Sequence, residues 1–332
     1  MKLQKIYLKN YRNYDDILLE LNNNLNIIIG DNAQGKTNLL ESIYVLAVTK
    51  SFLSISDKNL INFNSRYSMI KGIVDYNGSY DELELLINEN GKVVKINKKD
   101  IKKLSDYISK MNVILFSSDS IRIFKDSPSC RRKYFNIQIS QINKIYLVNL
   151  NNYNLVLRQR NEFLKIININ KESDMNYLDI LNDKYIGLSI DIYNFRRKYV
   201  DLVNNYIGDI FYSITGLEGL KMVYTSNVSN LDNNLFKDKL KSNLSREIQY
   251  KITFVGPNRD DFYFDLNGKN LSLYGSQGQI RSAVLALKLA EVKLFTDVLS
   301  DMPILLLDDI FSELDIDKRN KVIKYLDNDI QT

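Results

Sequence analysis

Asn26-Ile27-Ile28-Ile29-Gly30-Asp31-Asn32-Ala33-Gln34-Gly35-Lys36-Thr37-Asn38 reads as strand, tight loop, helix. Ile27, Ile28 and Ile29 are a short β-branched apolar run, which predicts a buried strand. Gly30 to Thr37 fits G-x-x-x-x-G-K-[ST] without a gap. Leu39, Leu40, Ile43, Leu46 and Ala47 then recur at helical spacing. Two glycines let the backbone turn so that successive N–H groups converge on anionic oxygens, and the helix N-terminus adds its dipole. In such a loop Lys36 reaches the β- and γ-phosphates of a nucleoside triphosphate, and the Thr37 hydroxyl takes one position on Mg²⁺. Asp31, Asn32, Ala33 and Gln34 supply the intervening backbone. The four fixed positions arise by chance in roughly 1% of chains this long. The bland alternative is a glycine turn between core elements.

Two C-terminal stretches fit this loop. Met302-Pro303-Ile304-Leu305-Leu306-Leu307-Asp308-Asp309 is an apolar run ending in two carboxylates, as in a buried strand whose end meets a nucleotide. Asp308 is the candidate Mg²⁺ ligand and Asp309 the candidate general base on an attacking water. Leu273-Tyr274-Gly275-Ser276-Gln277-Gly278-Gln279 opens a helix predicted over 280–299, a second anion site at a helix N-terminus or a plain polar cap. One γ-phosphate does not need two cradles from the same subunit. Ser276, Gln277, Gly278 and Gln279 are therefore expected to face the nucleotide of a second copy.

Composition removes several classes of chemistry. The 332 residues contain one cysteine, Cys130, and no histidine. An intrachain disulfide, a Cys–His zinc cluster and a histidine general base are all excluded. No segment reads as a membrane span and the N-terminus carries no signal-peptide pattern, so a cytoplasmic location is expected. The net charge of +5 permits nucleic-acid binding without demanding it.

Along the chain, residues 1–90 read as β-rich. Strands are predicted from Lys2 to Leu8 and Ile17 to Leu21, with a hairpin through Asn77-Gly78 and another strand after Asn90-Gly91. From 91 to 133 Lys92, Lys95, Lys98, Lys99, Lys102, Lys103, Lys110, Arg122, Lys125, Arg131, Arg132 and Lys133 outnumber their acidic neighbours. They form either a solvated face or a nucleic-acid contact surface, with Lys98, Lys99, Lys102, Lys103, Arg131 and Arg132 as the candidates. From about 129 to 215 the pattern is helical and predicts an antiparallel arm. Arg158, Arg160, Arg196, Arg197 and Lys198 on it are phosphate-binding candidates or simple solvating charges.

The phosphate loop, the Gly275–Gln279 signature, the acidic strand end and Ser312-Glu313-Leu314-Asp315 occur in the order seen in ABC-type ATPases. Tyr11-Arg12-Asn13-Tyr14, Ser127-Pro128 with Arg131-Arg132, Gly256-Pro257-Asn258-Arg259-Asp260-Asp261 and Phe311 to Asp315 resemble segments of the RecF family, relatives of the SMC and Rad50 heads. The chain departs from the family's usual residues at Asn258 (His), Ser118 (Pro) and Asn136 (Asp). The resemblance also implies a core strand beyond Thr332, ending in a γ-phosphate-sensing residue. Either the sequence is truncated ahead of that strand, or hydrolysis here is expected to be weaker than binding.

The resemblance implies an α/β ABC-type P-loop ATPase head with a mixed sheet core and a largely helical second lobe. The expected core lobe is 1–110 with 250–332, and the helical lobe 111–249. Arg12 is expected near the base or ribose of ATP. The implied function is ATP-gated, Mg²⁺-dependent DNA binding in replication-linked repair at single-stranded or gapped DNA. ATP-dependent homodimers, slow hydrolysis and RecR-type mediator partners go with it. The alternatives are a transporter-type ATPase subunit and a nucleotide-independent scaffold.

Overall fold

The computed structural model describes residues 1–31, 34–53, 56–169, 171–229, 232–309, 319 and 329–332. Asn32, Ala33 and the segment Phe311 to Asp315 lie outside the described residues. The chain forms two compact units: 1–121, 209–217 and 281–332 make the first, and 122–208 and 218–280 the second.

The first unit begins with β1 (Lys2–Tyr11) and β2 (Tyr14–Glu20), followed by α1 (Lys36–Val48). Next come β3 (Tyr67–Tyr76), β4 (Ser79–Asn88), β5 (Gly91–Ile96) and β6 (Lys99–Asp100). These strands form one antiparallel sheet in the order β2-β1-β3-β4-β5-β6. Asn77 (φ 56°) and Gly78 (φ 97°) make the predicted hairpin turn, where both central residues need positive φ. Alternation places Leu3, Ile6, Leu8, Ile70, Val74, Leu83, Leu85 and Ile87 in the core. The opposite face carries cross-strand ion pairs such as Lys5–Glu20 at 2.6 Å and Lys71–Glu84 at 2.9 Å.

After α2 (Leu104–Ile108), β7 (Val113–Ser117) pairs in parallel with a strand near the C-terminus, with Ser117 opposite Asp308. Every residue of β7 is buried, as a parallel strand requires. Helix α1 contacts both this pair and strands β1, β3 and β4 of the antiparallel sheet. It therefore buries Leu39, Ile43, Val45, Leu46 and Val48 on several sides rather than one. Gly72 permits the close fit, because a Cβ there would collide with Leu46 and Leu3.

One strand expected from the sequence is absent. Among the described residues Ile27, Ile28 and Ile29 form no strand, and they are 74%, 37% and 87% exposed. A strand needs a neighbour on its hydrogen-bonding edge. Asn24 and Asn26 have one in Thr332, whose N–H donates to Asn24 O and whose carbonyl accepts from Asn26 N, while Leu305 N donates to Gln331 O. No described residue continues that pairing alongside Ile27–Ile29.

The second unit contains α3 (Arg122–Lys125), α4 (Pro128–Ile142), α5 (Lys144–Phe163) and most of α6 (Glu172–Thr215). Paired side chains step in opposite directions along α5 and α6: Tyr146 with Arg196, Asn149 with Asp191, Arg160 with Asn182, Phe163 with Tyr177. The two are therefore the predicted antiparallel arm. Then follow β8 (Leu220–Thr225), α7 (Asn233–Tyr250), β9 (Asp261–Leu266), β10 (Lys269–Asn270) and α8 (Leu271–Tyr274). The order in this small antiparallel sheet is β10-β9-β8. Helix α9 (Gln277–Leu299) begins in the second unit and continues in the first, ahead of β11 (Ile304–Asp308), the partner of β7.

Two of the arm's arginines are interior ion pairs, not phosphate-binding surface. Arg160 and Glu247 are both fully buried, 2.7 Å apart, and Arg160 also donates to Asn182 and Thr253. Arg196, 2% exposed, pairs with Asp260 at 2.7 Å and donates to Asn136 Oδ1 and Pro257 O. Burying a guanidinium demands this many partners. Two of the three residues that depart from the family pattern, Asn136 and Asn258, are absorbed here. Asn136 accepts from Arg196 and Tyr146, and Asn258 donates to Thr253 O while accepting from Tyr153 and Tyr185.

Candidate functional site

Gly30 (φ 155°) and Gly35 (φ 101°) take backbone conformations that favour glycine, and α1 starts at Lys36 immediately after. Lys36 Nζ donates to the carbonyls of Gly30 at 2.5 Å and Asp31 at 2.9 Å, so the ammonium lies over the loop it follows. Gly30, Asp31, Gln34, Gly35, Lys36 and Thr37 are thus held together around one helix N-terminus.

Thr37 Oγ1 donates to Asp308 Oδ1 at 3.1 Å across 271 residues of sequence. The loop and the acidic strand end therefore meet, as the motif order implied. Burial raises the Asp308 carboxyl above its ordinary range; the Thr37 bond opposes this, and the charges of Asp309 and Asp119 add to the rise. Asp309 follows at the strand end with φ 52° and is exposed. A hydroxyl and a carboxylate kept in contact, with further carboxylates near, form the hard-oxygen donor set that suits Mg²⁺.

That environment has a consequence for stability. A carboxyl raised in the folded chain favours folding below its unfolded pKa, and loses that contribution as pH rises through the folded value. At neutral pH a charged Asp308 is therefore a liability to the nucleotide-free protein. Asp308→Asn removes it, so its thermal midpoint is expected to exceed that of wild type at pH 7. The gap should narrow as the solution is acidified and Asp308, its carboxyl raised by burial, takes up its proton. Thermal unfolding between pH 4 and 8 checks this, and a less stable variant at pH 7 contradicts it.

All four residues of the Tyr11–Tyr14 turn reach the loop or its helix. Tyr11 OH donates to Glu41 Oε2 at 2.8 Å. Arg12 makes a bidentate pair with Glu41 at 2.7 and 2.9 Å. Asn13 Nδ2 donates to Gln34 O at 3.1 Å and Asn13 Oδ1 accepts from Asn38 Nδ2 at 2.8 Å. Tyr14 OH donates to Gly35 O at 3.2 Å. The structure thus places Arg12 on the fully buried Glu41 carboxylate. Sequence reasoning singled out the Tyr11–Tyr14 element but missed Glu41 and Asp119. Glu41 had a signal, as the sole carboxylate of α1, set between Leu40 and Ile43 on its apolar part.

The signature stretch lies in the second unit. Ser276 N donates to Gln279 Oε1 at 2.8 Å and Gln279 N to Ser276 Oγ at 3.2 Å, a reciprocal capping box at the start of α9. Gly278 has no positive φ, and a Cβ there would meet only Ser276 Oγ at 4.0 Å. Neither backbone conformation nor internal packing requires this glycine. Beside it Leu273 and Tyr274 are 74% and 72% exposed.

The basic stretch divides into tied and free cations. Lys92 pairs with Asp57 at 2.6 Å and Lys110 with Asp81 at 2.9 Å. Arg131 forks onto Asp261 with two 2.7 Å bonds, and Arg132 donates to Asp260 O at 2.7 Å. Among the described residues Lys98, Lys99, Lys102 and Lys103 are exposed and have no acidic partner. Lys98 sits at a hairpin tip (φ 66°) and Lys99 on β6, the edge of the large sheet.

A phosphate loop feeding a buried helix, closed by an acidic strand end, defines the head of an ABC-type P-loop ATPase. The sequence profile of the RecF/RecN/SMC N-terminal domain matches residues 2–332. A DNA replication and repair protein RecF from a Geobacillus species is 37% identical over 340 residues, covering 100% of this chain and 91% of the relative. The solved structure of the recombination mediator protein RecF with ATP, from the RecFOR pathway, superposes with a TM-score of 0.91 at 33% identity, covering 98% of this chain and 89% of that one. An SMC head bound to the winged-helix domain of ScpA shares the fold at a TM-score of 0.53 and 14% identity, covering 99% of this chain and 86% of that one. The chain belongs to the RecF family of DNA replication and repair proteins.

Proposed function

We infer that this protein is an ATP-gated DNA-binding switch acting in repair at single-stranded or gapped DNA. The observation that carries the reading is the contact of Thr37 with Asp308, which joins the phosphate loop to the acidic strand end. Gly30 to Thr37 bind the triphosphate, with Lys36 on the β- and γ-phosphates and Arg12 alongside, its guanidinium held by Glu41. Thr37 and Asp308 would hold Mg²⁺, which offsets the phosphate charge. Asp309 orients the attacking water and takes its proton in a slow, DNA-stimulated hydrolysis.

Ser276, Gln277, Gly278 and Gln279 complete the site of a second copy. The bare surface of Gly278 supports this, since a glycine without an internal reason leaves room for close approach from outside. Residues 1–110 and 250–332 act as the ATPase lobe and 111–249 as the helical lobe. Mediator proteins of the RecR type are the partners, and the cytoplasm is the location. Among the described residues no helix is long and apolar enough to cross a membrane.

Lys98, Lys99, Lys102 and Lys103 are the DNA contacts, while Arg131 and Arg132 are committed within the chain. Reversing all four lysines to Glu is expected to weaken ATP-dependent binding to gapped DNA at least about tenfold. It should also reduce the slope of log affinity against log salt by up to roughly 3 to 4. Fluorescence anisotropy over a salt series measures both, and unchanged affinity and slope remove the lysines from the interface.

A further inference from the structure

We propose that the Tyr11–Tyr14 turn is a clasp that sets the phosphate loop, and that Asn13 is its positioning residue. This rests on the ATP-binding reading and adds residues to it. Four consecutive side chains around one two-residue turn bond either Glu41 on α1 or the carbonyls of the loop. Tyr11 and Arg12 anchor the turn to α1 through Glu41, whose carboxylate also accepts from Ser51 Oγ at 2.5 Å. Arg12 sits at φ 54°, a conformation a long side chain avoids unless its surroundings impose it. The bidentate Glu41 pair supplies that constraint.

With the turn fixed, Asn13 and Tyr14 hold consecutive loop carbonyls, those of Gln34 and Gly35. In a planar trans peptide the carbonyl and the N–H of the next residue point in opposite directions within one plane, so holding the carbonyl outward turns that N–H the other way. Holding Gln34 O and Gly35 O thereby aims the N–H groups of Gly35 and Lys36, at the helix start where anions bind. Asn13 also accepts from Asn38 on the first turn of α1, so one amide spans loop and helix. Gly35 is required for the fit, since a Cβ there would collide with the Asn13 amide. Asn13 itself is exposed and adds little to the core.

The test compares wild type, Asn13→Ala, Asn13→Gln, Asn38→Ala and the Asn13→Ala/Asn38→Ala pair. Mg²⁺-ATP affinity is read by calorimetry and the nucleotide-free thermal midpoint by scanning. Asn13→Ala is expected to weaken ATP about tenfold, for two lost hydrogen bonds, with the midpoint unchanged within about 2 °C. Asn13→Gln, which keeps the amide, should recover part of the loss. The double variant should bind no worse than Asn13→Ala, because both changes break the same bridge. Affinity within twofold of wild type in Asn13→Ala overturns the clasp, as does a loss of affinity that only tracks a lowered midpoint. Lys36→Ala is the control. If it loses ATP while Asn13→Ala does not, the clasp fails and the ATP site stands. If wild type binds no ATP, both fail.

Discussion

Lys36→Ala is expected to lower ATP affinity by about a hundredfold or more while leaving the fold intact. The Lys36 ammonium lies on the loop carbonyls, and losing a charge-assisted contact to phosphate costs about 2–5 kcal/mol, where each 1.4 kcal/mol is tenfold. Among the described residues its ammonium bonds loop carbonyls, those of Gly30 and Asp31. Its removal therefore breaks nothing in the core, and the thermal midpoint should hold. Because the proposed dimer closes over ATP, the same variant should stay monomeric with Mg²⁺-ATP. A scaffold that does not need nucleotide would be indifferent to the change.

The largest stability effect is expected at Arg160. Arg160→Met leaves Glu247 charged, buried and without its cation, a change that costs about 3–5 kcal/mol in comparable interiors. Glu247 keeps one bond, from Phe254 N at 2.7 Å, which is not enough to replace a guanidinium. Asn182 and Thr253 lose a partner as well. Adding Glu247→Leu removes the stranded charge and should recover part of the loss. It should not recover all, because Phe254 N then loses its acceptor. Urea unfolding of the single and double variants measures this, and a mild single variant would mean that water reaches the pair.

The buried pairs also show why parts of the structure were hidden in the sequence. Arg131 meets Asp261 across 130 positions and Arg160 meets Glu247 across 87, so neither arginine could be distinguished locally from a solvated or DNA-facing one. The free lysines, by contrast, were visible as a cluster, and only the structure could separate them from tied neighbours such as Lys92. The phosphate loop was legible because its chemistry fixes residue types at fixed spacing. The hairpins were legible because Asn-Gly pairs mark their turns. Strand β7 escaped notice since its four-residue apolar run, Val113 to Phe116, has no periodicity of its own. Ile27–Ile29 failed in the opposite direction: the residues favour a strand, but a strand also requires a paired edge. The clasp lay beyond sequence reading because Arg12 and Glu41 are 29 positions apart and only the fold brings them together.

The sedimentation mass with and without Mg²⁺-ATP, for wild type, Lys36→Ala and Ser276→Arg, tests the composite site most directly. The account predicts that wild type doubles its mass only with ATP and that both variants remain monomeric in either condition. Wild type that binds ATP and stays monomeric, or a Ser276→Arg variant that dimerises normally, would contradict it.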